Sequence, residues 1–162
     1  MEAGDGKLEA RNGKRESGLA GRRVIRSYDD LEVYQRAMQL LVPLHALVLK
    51  FPDYERFELA SQLRRASKSI PANIAEGYGK KRSVRQFKAY LDNALGSANE
   101  VIVHLKIAET LRYAGGPAIG KLIEGYTIVA KQLHRLIDTW QSFDGPSAKT
   151  VPHPASRVQP SS

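Results

Sequence analysis

LRRASKSIPANIAEGYGKKRSVRQFK, residues 63 to 88, decides how the rest of the chain is read. Leu59, Leu63, Ala66, Ile70, Asn73 and Gly77 recur at three-four spacing straight through Pro71, which predicts one helix with a kink at the proline. Asn73 falls on the inward line, where its amide needs a partner, and Pro71 leaves the Ser67 carbonyl free to be that partner. Gly77 and Gly79 can take positive φ and are expected to stop the helix. Ser83 followed by Gln86 reads as a capping box that starts the next one. The link between them is short, so the two helices should lie antiparallel. Arg64, Arg65, Lys68, Lys80, Lys81, Arg82, Arg85 and Lys88 face a single acid here, Glu76. The hairpin is expected to gather Lys80, Lys81, Arg82, Arg85 and Lys88 at one end, with Arg64, Arg65 and Lys68 continuing the patch along its side. Asn73 and Glu76 are read as a packing amide and an ion-pair partner, not as acid–base groups.

Downstream, Val84, Phe87, Leu91, Ala94, Ala98, Val101, Leu105 and Ala108 keep the same spacing and predict a long seam helix. Leu95 and Ile102 mark a second line, and Gly96, Ser97 and Ala98 are expected to admit a close helix contact. Gly115, Gly116 and Pro117 break the pattern, with Pro117 at the first position of a fourth helix. That helix carries Ile119, Leu122, Tyr126, Val129, Leu133, Leu136 and Trp140. Upstream, Asp29 or Asp30 suits the cap of a first helix, and Asp53 that of the second. The first helix has two apolar lines, Leu31, Tyr34, Met38, Leu41, His45, Val48 beside Val33, Ala37, Leu40, Leu44, Leu47, Phe51. Such a wide face needs neighbours on two sides, within the bundle or from another subunit. Pro43 should bend this helix and Pro52 end it.

The pattern is all-α: an antiparallel up-and-down four-helix bundle over 28–144, flanked by a flexible basic arm over 1–27 and a disordered tail over 145–162. The 162 residues, 42% hydrophobic, suffice for one modest core. The net charge is +8, and residues 63–88 alone contribute +7, so the bundle is strongly polarised towards polyanionic partners. No cysteine is present, and the start of the chain shows no apolar signal core, which reads as a cytoplasmic protein. No apolar run approaches the roughly 18 residues of a membrane span. His45, His104, His134 and His153 are dispersed without paired carboxylates, so no metal or cofactor is expected. Ser69 and Ser97 have no visible partner base, and no phosphate-binding glycine loop or nucleophile elbow occurs. The chain reads as non-enzymatic.

DLEVYQRA, QLRRA, SIPANIAEG and GSANE together resemble a bacterial family called four-helix bundle proteins. They are also known as intervening-sequence proteins, since some are encoded within insertions in large-subunit ribosomal RNA genes. The resemblance spans roughly Tyr28 to Trp140. Tyr34 stands where the family usually has Trp, and Pro43, the arm and the tail lie outside its common pattern. The resemblance implies an antiparallel four-helix bundle, assembly as a homopentamer, and nucleic-acid binding. Related basic bundles are accessory proteins of retroelement reverse transcriptases, so docking on an acidic protein such as a reverse transcriptase is the alternative. The leading expectation is an oligomer that binds nucleic acid, RNA in particular, through phosphate contacts to the eight cations named above.

Overall fold

The computed structural model describes residues 25–114 and 116–141. The expected tail, and the expected arm up to residue 24, lie outside the described residues. Four α-helices account for most of the described chain: α1 (Glu32–Val48), α2 (Leu59–Gly79), α3 (Val84–Thr110) and α4 (Pro117–Thr139). Short 3-10 turns at Tyr28–Asp30 and Asp53–Glu55 precede α1 and α2. Consecutive helices pack on each other and α1 closes against α4, while α1 and α3 sit on opposite corners without packing together. Aromatic rings tie both ends of this square. Tyr28, Tyr78, Phe87 and Trp140 meet edge to face at one end, and Phe51, Tyr54 and Tyr113 meet at the other. Each end thus joins alternate helix starts and finishes, as an up-and-down bundle requires.

The core follows the expected lines. Phe87, Leu91, Ala94, Ala98, Val101, Leu105 and Ala108 of α3 are fully buried, and each large one contributes about 1.5–3 kcal/mol through apolar burial. The two α1 lines do not divide between core and surface. Leu31 and Val48 of the first are buried along with Val33, Ala37, Leu44, Leu47 and Phe51 of the second, whereas Met38 of the first, and Val42 on neither line, stand open at 43% and 76% exposure. One face of α1 serves this bundle and the other faces outward. Helix α2 runs unbroken past a buried Pro71, and Ile74, off the predicted line, is also fully buried.

The helix ends depart from expectation. Ser27, not an aspartate, makes the first cap, with Asp30 closing the reciprocal half of a capping box on the 3-10 turn. Helix α1 starts after it at Leu31, which offers no side-chain cap, and ends before Phe51 and Pro52. Asp53 lies in the second 3-10 turn, and the Glu55 carboxylate instead accepts from the Leu59 N–H at 3.0 Å. Helix α3 stops ahead of the glycines in a Schellman turn, where the Tyr113 N–H donates to Ala108 O at 2.9 Å and Arg112 N–H to Glu109 O at 3.1 Å. Arg112 takes the left-handed position with φ 58°, at a cost of about 1–2 kcal/mol that a glycine would avoid. Gly116, at φ 83°, then turns the chain into α4, where Pro117 takes the first position.

Gly77 and Gly79 do not stop α2 through positive φ; both are helical, and Gly116 alone among the described glycines has it. Gly77 serves a close approach instead. A Cβ there would lie 2.6 Å from Tyr90 Cβ and 3.0 Å from Phe87 Cδ2, so the α2 backbone sits directly on these two α3 side chains. The close contact expected at Gly96 is absent: nothing lies within 4 Å of a Cβ built there, and the residue is exposed.

Candidate nucleic-acid interface

Packing decides where the eight cations go. Lys80, Lys81 and Arg82 occupy the α2–α3 link, and Arg85 and Lys88 the first turns of α3, so these five surround one end of the bundle. The Ser83 hydroxyl accepts from the Gln86 N–H at 3.3 Å, which fixes where α3 begins and how Arg85 and Lys88 are presented. Arg82 and Arg85 are exposed and Lys88 half-buried. Among the described residues, none of these three forms an ion pair or side-chain hydrogen bond.

Lys80 and Lys81 are engaged. Lys80 Nζ donates to Tyr90 Oη at 2.5 Å, Tyr90 Oη donates to Glu76 Oε1 at 2.7 Å, and Lys80 lies 3.5 Å from that same carboxylate oxygen. The Tyr90 hydrogen bond, with Lys80 behind it, holds the Glu76 carboxyl below its usual range. The same hydroxyl raises the Lys80 ammonium. All three groups are solvated, so the network orients the link more than it stabilises the fold. Lys81 Nζ sits 3.8 Å from the centroid of the Tyr78 ring, and Tyr78 itself is buried between Tyr28 and Phe87.

Arg64, Arg65 and Lys68 do not continue this cluster as one stripe. About 18 Å of helix separates Lys68 from Lys80 at 1.5 Å per residue, and the three cations fall on two sides of α2. Arg64 and Lys68 are on the α1 side, where burial first, and then the Lys68 and Arg64 charges, push the His45 imidazole down. Arg64 is also held by a 2.9 Å bond from its guanidinium to Arg56 O. Arg65 is on the α3 side, in a groove with Gln62, Ser69, Ser97 and Glu100.

Asn73 meets Ser69, not Ser67: its Nδ2 donates to Ser69 O and Ser69 Oγ, both at 2.9 Å. Ser97 Oγ lies 3.0 Å from Ser69 Oγ and joins α3 to the same network. Ser67 is fully buried, and its hydroxyl donates to Arg64 O at 3.2 Å. Asn73 through Ser69 and Ser97, and Glu76 and Gly77 through Tyr90, thus fasten α2 to α3, while Pro71 is buried within α2. Sequence reasoning missed Ser69 as the partner of Asn73, one turn back on the same helix, and the Ser97–Ser69 pairing across helices has no sequence spacing to reveal it.

This bundle, with its polar α2–α3 seam, matches the model of the 23S rRNA-intervening sequence protein family over residues 29–135. The chain belongs to that family. The match covers all of α1 to α3 and α4 up to Arg135, within the Tyr28 to Trp140 span of the resemblance. Among solved structures, the family fold is similar to a protein of unknown function from the S23 ribosomal protein family of Bacteroides thetaiotaomicron. That likeness has a TM-score of 0.60 at 25% identity, covering 66% of this chain and 99% of the other. No curated protein matches the chain. Among the described residues, no helix is long and apolar enough to cross a membrane and no group of side chains could hold a metal ion.

Proposed function

We propose that this intervening-sequence protein is a non-enzymatic, cytoplasmic homo-oligomer that binds nucleic acid, RNA above all, through the basic end of its α2–α3 hairpin. The observation that carries the reading is the hairpin end itself: Arg82, Arg85 and Lys88 have no acidic partner among the described residues and lie at the same end of the bundle as Lys80 and Lys81. Charges left unpaired at one pole lose little by meeting phosphates and gain the entropy of released counterions. Few base-edge contacts are available there, so recognition by this pole is of backbone and shape.

The oligomer reading rests on two exposed apolar rows. Met38, Val42 and Leu49 line the outer face of α1, and Val103, Ile107 and Leu111 that of α3. These helices are diagonal in the square, so the rows point to opposite sides. Docking one row on the other joins copies head to tail; where the rotation between copies closes, the product is a ring, such as the pentamer that the resemblance implies, and it repeats the basic pole with each subunit. A protein partner has one observation in its favour: Tyr54 and Phe57, at the pole opposite the cations, are 68% and 80% exposed.

The test is a salt titration of binding to unrelated RNA duplexes. Changing Arg82, Arg85 and Lys88 together to Gln should weaken binding to all of them alike and reduce the slope of log K against log salt by about 2 to 3, near one unit per lost phosphate contact. Binding indifferent to salt and to the triple change would reject the proposal.

A further inference from the structure

QLRRA, SIPANIAEG and GSANE lie apart in the sequence but meet at one place. Gln62, Arg65, Ser69, Ser97 and Glu100 line an open groove of about 410 Å³ between α2 and α3, a volume within the roughly 300–1,000 Å³ of small-ligand sites. Two features set this groove apart from a solvated helix face. Its walls carry opposite charges that do not neutralise one another: Arg65 forms no ion pair among the described residues. Glu100 reaches only His104, 3.4 Å away and one turn along its own helix. Its hydroxyls are also held in place, Ser69 Oγ by Asn73 Nδ2 at 2.9 Å and by Ser97 Oγ at 3.0 Å, and Ser97 also bonds Asn93 O at 3.1 Å.

A guanidinium, fixed hydroxyls and a carboxylate in one groove suit a ligand with a donor edge next to an acceptor. A phosphate does not fit, because Glu100 would oppose it. We propose that the groove takes the Watson–Crick edge of an unpaired guanine base in the RNA. The Glu100 carboxylate accepts from guanine N1–H and N2–H, and Arg65 with the Ser69 hydroxyl, which accepts from Asn73 and Ser97 and so keeps its own hydrogen, donates to O6. Guanine alone among the four bases presents two adjacent donors that one carboxylate can accept together. Unstacked bases in loops and bulges are also where proteins read RNA sequence. The inference rests on the nucleic-acid reading above and adds base selectivity at a groove about 22 Å of helix away from a pole that by itself reads only backbone.

Fluorescence anisotropy of the full chain with RNA hairpins that differ only in one bulged nucleotide, G, A, C, U or none, tests it at two salt concentrations. The bulged G should bind about tenfold tighter than the other bulges. That preference should vanish in Glu100→Gln and persist in Glu124→Gln, an exposed change of equal charge on α4. Equal affinity for every bulge, or a G preference that survives Glu100→Gln, overturns the guanine assignment and leaves phosphate binding standing. No bulge preference combined with a lower oligomer mass in Glu100→Gln would mean that a second copy covers the groove, which also overturns it. Absence of binding to every hairpin at low salt overturns both readings.

Discussion

At the scale of single residues, Gly77 shows how a correct position can carry a wrong reason. Three-four spacing put it on the buried line of α2, and it is buried, but as the point where α2 meets the Tyr90 Cβ, not as a positive-φ stop. Gly125 is its counterpart on α4, where a Cβ would meet Leu40 Cδ2 at 2.7 Å. The two differ in what must yield. At Gly77 the obstacle is a Cβ anchored to backbone, and at Gly125 it is the far end of a flexible side chain. Gly77→Ala should therefore destabilise by about 1–3 kcal/mol through overpacking. Gly125→Ala should come out near neutral, because a helical Ala gains up to about 1 kcal/mol over Gly and offsets the shift of Leu40. Chemical denaturation of the two variants checks this, and equal losses would contradict it. The sequence could not separate the two glycines, since both sit at helical spacing and only the neighbouring helix distinguishes them.

At the scale of elements, helix identity and inward faces were legible because burial repeats every three to four residues over long spans. Helix ends were legible at two points, the Ser83 cap of α3 and Pro117 at the start of α4. The other ends depended on one local bond that other residues could have supplied: Ser27 for Asp29, Glu55 for Asp53, a left-handed Arg112 for a glycine. The basic patch was legible as composition but not as a surface, because Arg64 and Arg65 are adjacent in sequence and lie about 100° apart around α2. The α1–α2 contact makes a pH-dependent prediction. His45 sits against Arg64 and Lys68 with Nε2 buried and unpartnered among the described residues. Burial first, then those two cations, hold its pKa below the ordinary 6.5. The unfolded chain therefore takes up the proton more readily than the folded one, so this contribution is complete above 6.5 and is lost as pH falls below it. Thermal melts from pH 7.5 to 5 should show a fall in stability that is shallower in His45→Gln. Parallel profiles for the two proteins would contradict it.

At the scale of the whole molecule, the chain is polarised: cations gather at the α2–α3 hairpin, apolar rows lie on diagonal helices, and a polar groove joins α2 to α3 between them. The rows are the apolar surface of α1 and α3 that one bundle leaves uncovered, and the proposed ring of copies would cover both. Multiplying the basic pole around such a ring converts weak single-site contacts into appreciable affinity. The measurement that tests this most directly is light-scattering mass of the purified chain, alone and with a short RNA duplex, at low and at physiological salt. The account predicts a particle near 90 kDa, five times 18.0 kDa, that gains mass with RNA at low salt and loses much of that gain as salt rises. A monomer, or an oligomer whose mass ignores RNA at both salts, would contradict it.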